Sequence, residues 1–174
     1  CQHHGYFQGD PEQMRERALK AAASGWSLAI HAIGDAAVDF AIETLEMAVE
    51  KNGVPDMPHR IEHGGIVRPD QIERLRGKPI VVVPQPLFIS TFGDAMAKAL
   101  GPKRAAWSYP GKRLLAADLI LPGSSDQPVA PGVPLDVMKA AIERRTETGQ
   151  DFGPADRLTP AEALYAYTCL LYTF

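Results

Sequence analysis

The sequence predicts an α/β protein made of βα units on a parallel sheet. Three observations carry this. Short apolar runs alternate with helical stretches, Gly and Pro cluster at the junctions with 15 of each in the chain, and chemistry-bearing residues recur where apolar runs end. A chain of 174 residues, 45% hydrophobic, suffices for one domain with a sizeable core. Charged residues make up 22% and the net charge is −3, which excludes a disordered chain and predicts no nucleic-acid or membrane partner. No apolar run approaches the roughly 18 residues of a membrane span. The opening CQHHGYFQGD lacks the charged and apolar regions of a signal peptide. Cys1 and Cys169 sit near opposite ends, which predicts no disulfide framework and a reducing, cytoplasmic setting.

The elements follow in order. Pro11–Ser24 has Pro in its first turn, strong helix formers inside and Gly25 after it, which predicts a helix. Trp26–His31 is a short apolar run between glycines, a buried strand. Asp35–Lys51 carries Val38, Ile42, Leu45 and Val49 on one helical face and stops at Asn52-Gly53. Pro58–His63 is a second strand and Pro69–Leu75 a helix. Ile80–Val83, a β-branched run, is a third strand. Gln85–Pro110 reads as loop-rich with a helix at Ala95–Leu100. Arg113–Ala117 is helical, and Leu119–Leu121 is a fourth strand. Pro134–Thr146 and Pro160–Tyr167 are the last helices, the latter with Thr159 as N-cap and Glu162 completing a capping box.

Parallel strands present functional groups at their C-terminal ends. His31 closes WSLAIH, His63 closes PHRIEH, and Asp126 follows LILPGSS. The gaps of 32 and 63 residues match one and two βα units of about 31 residues each, so the three fall on one rim. Two imidazoles and a carboxylate suit a divalent metal, with the Asp also able to take a proton. A single strand-end His is more often an ordinary hydrogen-bonded polar residue than a ligand, and Asp126 before Gln127-Pro128 suits a turn. Spacing alone leaves both readings open.

The segments HAIGDAAVD, HRIEHGG, VVPQP, LGPKRAAWSYPGKRLLAADLILPGSSDQPV and LTPAEALYAYT, in this order, resemble the amidohydrolase superfamily, and within it the amidohydrolase-3, YtcJ-like metal-dependent hydrolases. The resemblance runs from about Gly25 to Thr168. It implies a (β/α)8 barrel, a mono- or binuclear divalent metal site of zinc, or of manganese or iron, and hydrolysis of non-peptide carbon–nitrogen bonds in small amide-type substrates. By the same resemblance His31 and His63 are metal ligands closing strands five and six. Asp126, after strand eight, is a ligand and general base. The family's first-strand His-x-His pair and fourth-strand bridging ligand have no counterpart. His3-His4 is adjacent, and adjacent strand residues point to opposite faces. The expectation is therefore half of a (β/α)8 TIM barrel, strands five to eight with their helices. One partial domain then spans residues 1–174, truncated at both ends, with open edges near Trp26–Ile30 and Leu119–Leu121 that invite self-association. Cys169–Phe174 has the look of a junction rather than native sequence.

Other residues take lesser roles. His59, four before His63, is expected on the same side one layer deeper, as a core polar group or substrate contact. Arg60 and Glu62 are then an ion pair on the other side, under the helices. Asp35 suits a helix cap, and the resemblance adds a supporting role towards His31. Gln85, Arg104 and Trp107 lie on loops above the rim, as pocket-lining or surface residues. Three functions compete: a metal-dependent C–N hydrolase, a non-catalytic barrel fragment, and a phosphoester hydrolase on the same scaffold.

Overall fold

The computed structural model describes residues 5–171. Cys1, the His3-His4 pair and the last three residues of the suspected junction lie outside them. Three strands, β1 (Ala29–Ala32), β2 (His59–His63) and β3 (Ile80–Val83), form a parallel sheet in that order. His31 lies opposite Glu62 and Ala32 opposite His63; Glu62 in turn lies opposite Val83. Helices α1 (Pro11–Ala23), α2 (Asp35–Asn52), α3 (Pro69–Leu75) and α4 (Leu87–Ala105) alternate with these strands, and α5 (Gly111–Ala116), α6 (Pro134–Glu143) and α7 (Pro160–Tyr167) follow with no strand between them among the described residues. Asp10 caps α1 by accepting from the Gln13 N–H at 2.9 Å. The capping box of α7 forms as the sequence predicts: the Glu162 N–H donates to Thr159 Oγ1, and Glu162 accepts from the Thr159 N–H. No helix among the described residues is long and apolar enough to cross a membrane.

One face of the sheet is sealed by helices. Ala32, Ile61, Ile80 and Val82 are buried against Val38, Ile42 and Leu45 of α2 and Ile72 and Leu75 of α3. This overturns the face assignment expected for β2. His59 and Ile61 point to the helix side, whereas Arg60 and Glu62 share the other face with His31. The cause is His63, whose φ of +75° breaks the two-residue alternation at the last position of the strand. Arg60 and Glu62 do pair, Nε donating to Oε1 at 2.8 Å, but on the open face. His59 lies at the start of β2, four residues and about 13 Å from His63. It is 2% exposed, and its Nδ1 accepts the Leu28 N–H at 3.0 Å, which fixes the chain entering β1.

Two further expectations change. The Gln85–Pro110 stretch is mostly helix: α4 starts at Leu87, well before Ala95, and bends at Gly101, where φ is +70°. Gly93 within it packs so close to Thr146, in the loop after α6, that a Cβ would lie 2.7 Å from Thr146 Cγ2, so this glycine marks a close approach of that loop to α4. Leu119–Leu121 is not a strand. Leu119 and Leu121 are buried, but the Leu119 N–H turns back to Leu114 O at 3.1 Å, Pro122 has no N–H, and the Gly123 N–H goes to Ala166 O at 3.0 Å. The apolar run reports burial without a ladder. The helix expected over Pro134–Thr146 stops at Glu143, because Arg144 turns left-handed at φ +47°.

A second apolar cluster joins Leu87, Phe88 and Ile89 of α4 to Tyr109, Val137, Ala140 and Phe152. Arg144 runs through this region at 2% exposure. It donates to the carbonyls of Ser108 and Tyr109 at 2.8 Å each and to that of Phe152 at 3.0 Å. Burial, opposed by the nearby Asp156 carboxylate, pushes its guanidinium down to about 10.

Arg144→Ala strands three buried carbonyls and opens a void, so it should cost about 3 kcal/mol or more in a denaturant titration. Arg144→Lys should restore only part, because one ammonium cannot span the three acceptors. His59 yields a pH prediction. Burial holds its pKa below the ordinary 6.5, so on acidification the unfolded chain takes the proton first. The stabilisation is present above the unfolded pKa and is lost as pH falls from there through the folded pKa. The fall in urea midpoint between about pH 7.5 and about pH 5.5 should therefore shrink in His59→Gln.

Candidate functional site

The C-terminal ends of β1 and β2 bring two imidazoles together. The ring centroids of His31 and His63 lie 4.5 Å apart with planes at 75°. Three backbone hydrogen bonds set this spacing. The Ile66 N–H donates to Ile33 O at 2.8 Å, the Tyr109 N–H to Gly65 O at 3.2 Å, and the Val67 N–H to Trp107 O at 3.1 Å. Gly65 suits this approach, since a Cβ would sit 3.0 Å from the Ile33 carbonyl oxygen. Behind the loops, Arg68 grips Asp39 of α2 with two hydrogen bonds of 2.9 and 3.0 Å, and Gln71 donates to Asp35 O at 2.8 Å and to Asp39 at 2.7 Å. The loop after β2 is thus tied to the start of the helix that follows β1.

His63 is 7% exposed, whereas His31 lies exposed on the open face. Nδ1 of His63 is 2.7 Å from Oε1 of Gln85, which is 2% exposed and donates through Nε2 to Val83 O at 2.8 Å. Phe88 stacks on the His63 ring at 6.2 Å, and Tyr109 meets Phe88 edge-on at 6.3 Å. Asp126, half-buried with φ +59°, completes the neighbourhood. Desolvation of the His31 ring, then the neighbouring His63, holds the His31 pKa below its ordinary value, while the Asp126 carboxylate acts in the opposite sense. Burial, then the same carboxylate, pushes the Tyr109 phenol above its ordinary value. His31 and His63 therefore sit side by side at the strand ends, with the Asp126 carboxylate in electrostatic reach of His31 and of Tyr109. Phe88 and Tyr109 are not foreseen from sequence; the pointer is that Phe88 follows the VVPQP segment at the end of β3 and Tyr109 lies within the WSYP turn after α4.

The lesser candidates scatter. Asp35 is the first residue of α2 and makes no side-chain cap, the N-cap being Gly34. Its carboxylate pairs with Arg104 at 3.3 Å, so these two satisfy each other beside the rim. Trp107 is half-buried under Lys103, whose Nζ lies 5.1 Å from the ring centroid. His59 lies at the opposite end of the strand. Cys169 is exposed.

Neutral imidazoles are ligands for zinc and related ions, and His63 already has Nδ1 engaged by a hydrogen-bond partner, as metal-binding histidines do. His31 and His63 fit as two members of a donor set. Among the described residues, no three His, Cys, Asp or Glu side chains are gathered closely enough to hold an ion.

Comparison with known proteins fits this arrangement. The chain is 35% identical over 161 residues to the Arabidopsis thaliana protein LONG AFTER FAR-RED 3, covering 91% of this chain and 28% of that protein. It is 28% identical over 157 residues to the N-substituted formamide deformylase of Arthrobacter pascens, covering 90% and 29%. An uncharacterized metal-dependent hydrolase from Pyrococcus horikoshii OT3 superposes with a TM-score of 0.83 at 30% identity, covering 97% of this chain and 34% of that one. The chain thus spans about a third of the length of the proteins it matches. The family model described as "Amidohydrolase family" matches residues 1–169, and the chain belongs to that family.

Proposed function

We propose that the protein carrying this chain is a metal-dependent hydrolase of carbon–nitrogen bonds in small, non-peptide amide-type compounds. The observation that supports this most directly is the pair of strand-end imidazoles 4.5 Å apart with the Asp126 carboxylate in electrostatic reach. The similarity to a formamide deformylase favours amide over phosphoester substrates. In this reading His31 and His63 hold a divalent ion, zinc by the donor chemistry, and Asp126 is a further ligand. The ion, when bound, supplies a Lewis acid and lowers the pKa of the attacking water. Asp126 would act as the general base, taking a proton from the attacking water and passing it to the leaving nitrogen. Phe88 and Tyr109 hold the His63 ring and the Asp126 side dry. The three parallel strands form part of a (β/α)8 barrel whose other strands lie in the rest of the protein. A cytoplasmic setting belongs to the same reading.

In the full-length protein, chelation should abolish hydrolysis of N-acyl amides and zinc should restore it. Asp126→Asn should lower turnover at least ~10²-fold while most of the metal stays bound. A rate near wild type for Asp126→Asn would route the proton elsewhere. His63→Ala should lose metal as well as activity.

A second expectation concerns residues 1–174 expressed alone. Among the described residues β1 pairs only with β2, and its other edge runs beside the exposed Tyr6, Ile33 and Met14. Such a chain should self-associate, bind hydrophobic dye and lack turnover. A sharp monomer by sedimentation with stoichiometric metal and activity would refute this.

A further inference from the structure

We propose that Gln85 is a positioning residue that locks His63 in the tautomer with hydrogen on Nδ1, leaving the Nε2 lone pair free for a ligand. The assignment follows from donors and acceptors alone. Val83 O can only accept, so the amide nitrogen of Gln85 faces it, at 2.8 Å. That turns Oε1 towards His63, at 2.7 Å from Nδ1. Oε1 also can only accept, so Nδ1 must carry the hydrogen. A neutral ring then has its lone pair on Nε2, which makes no hydrogen bond among the described residues. At 2% and 7% exposure, neither side chain has water at hand to replace its partner. Rotation of the ring is restrained as well. Phe88 stacks on one face at an interplanar angle of 22°, and His31 meets the ring at 75°.

The arrangement is set by where β3 ends. Val83 is the last residue of the strand, and Gln85 follows it by two, so the amide bends back onto its own strand's final carbonyl and reaches across to the end of β2. Pro84 and Pro86 flank Gln85 and restrict the backbone on both sides. Gln85 thus transmits the position of β3 to a side chain on β2. The consequence for metal binding rests on the reading above, in which Nε2 of His63 meets the ion. The tautomer itself does not.

The test uses the full-length, metal-free protein with ring-15N-labelled histidine. The His63 signal is assigned by its loss in His63→Asn. The expected result is a wild-type His63 with hydrogen on Nδ1. Gln85→Leu, which keeps the volume and removes the acceptor, should shift His63 towards the Nε2–H form and weaken zinc binding, measured by chelator competition, roughly 10–100-fold. Gln85→Glu, which still accepts from Nδ1 although it gives up the hydrogen bond to Val83 O, should retain the Nδ1–H form. A wild-type His63 with hydrogen on Nε2 overturns the proposal, and this holds even where Gln85→Leu fails to fold. An unchanged tautomer in a folded Gln85→Leu overturns it too. If the tautomer responds as expected but wild type binds no zinc, the positioning role stands and the metal reading falls.

Discussion

The turn Gly64–Val67 is the constraint on which the rim depends. Its backbone is claimed from two sides: Ile66 donates to the loop after β1, and Gly65 and Val67 bond to the segment after α4. Each such bond contributes only about 1 kcal/mol net. The geometric consequence is larger than the energy. Three loops that emerge from different βα units are held at van der Waals distance, and a Cβ at position 65 would press on Ile33. Arg68 and Gln71 then anchor the following helix to Asp39. Two strand ends otherwise free to splay are held in one register, and the imidazole pair is the result.

The alternation of strands and helices is legible because it rests on burial, and burial is what apolar periodicity reports. The same fact explains the failures. Leu119–Leu121 is as apolar as a strand and as buried as one, yet its amides turn to α5 and α7, and nothing in the side chains encodes that choice. The first half of α4 hides behind Ile89, Ser90, Thr91 and Gly93, residues of modest helix propensity. Burial of Leu87, Phe88 and Ile89 and the close approach of the Thr146 loop at Gly93 override local preference. The error on β2 is of another kind. Counting in twos from His63 inverts the strand's faces, because the count starts from the one residue whose φ is positive.

Within the site, the one-unit spacing of His31 and His63 suffices to predict that they share a rim, since a βα repeat returns the chain to the same end of the sheet. What spacing does not contain is the partner of each side chain. Gln85 reads as a loop residue, and its contact with His63 depends on where β3 stops and on two flanking prolines. Asp35 and Arg104, 69 residues apart, are each plausible site residues, and each is satisfied by the other.

Charge bookkeeping around the rim explains why Asp126 matters beyond its position. The acidic groups nearby are already matched: Glu62 by Arg60, Asp39 and Asp70 by Arg68, Asp35 by Arg104. Asp126 makes no ion pair among the described residues, and its field reaches both His31 and Tyr109. The paired groups contribute little net potential at the imidazoles, because each carboxylate has a guanidinium within 3.3 Å. The negative charge that reaches the His31 ring without an ion-pair partner among the described residues is that of Asp126. Asp126 thus leaves an unpaired negative charge beside the His31 ring, while the geometry that presents the two imidazoles is fixed elsewhere, by the Gly65 turn and by Gln85.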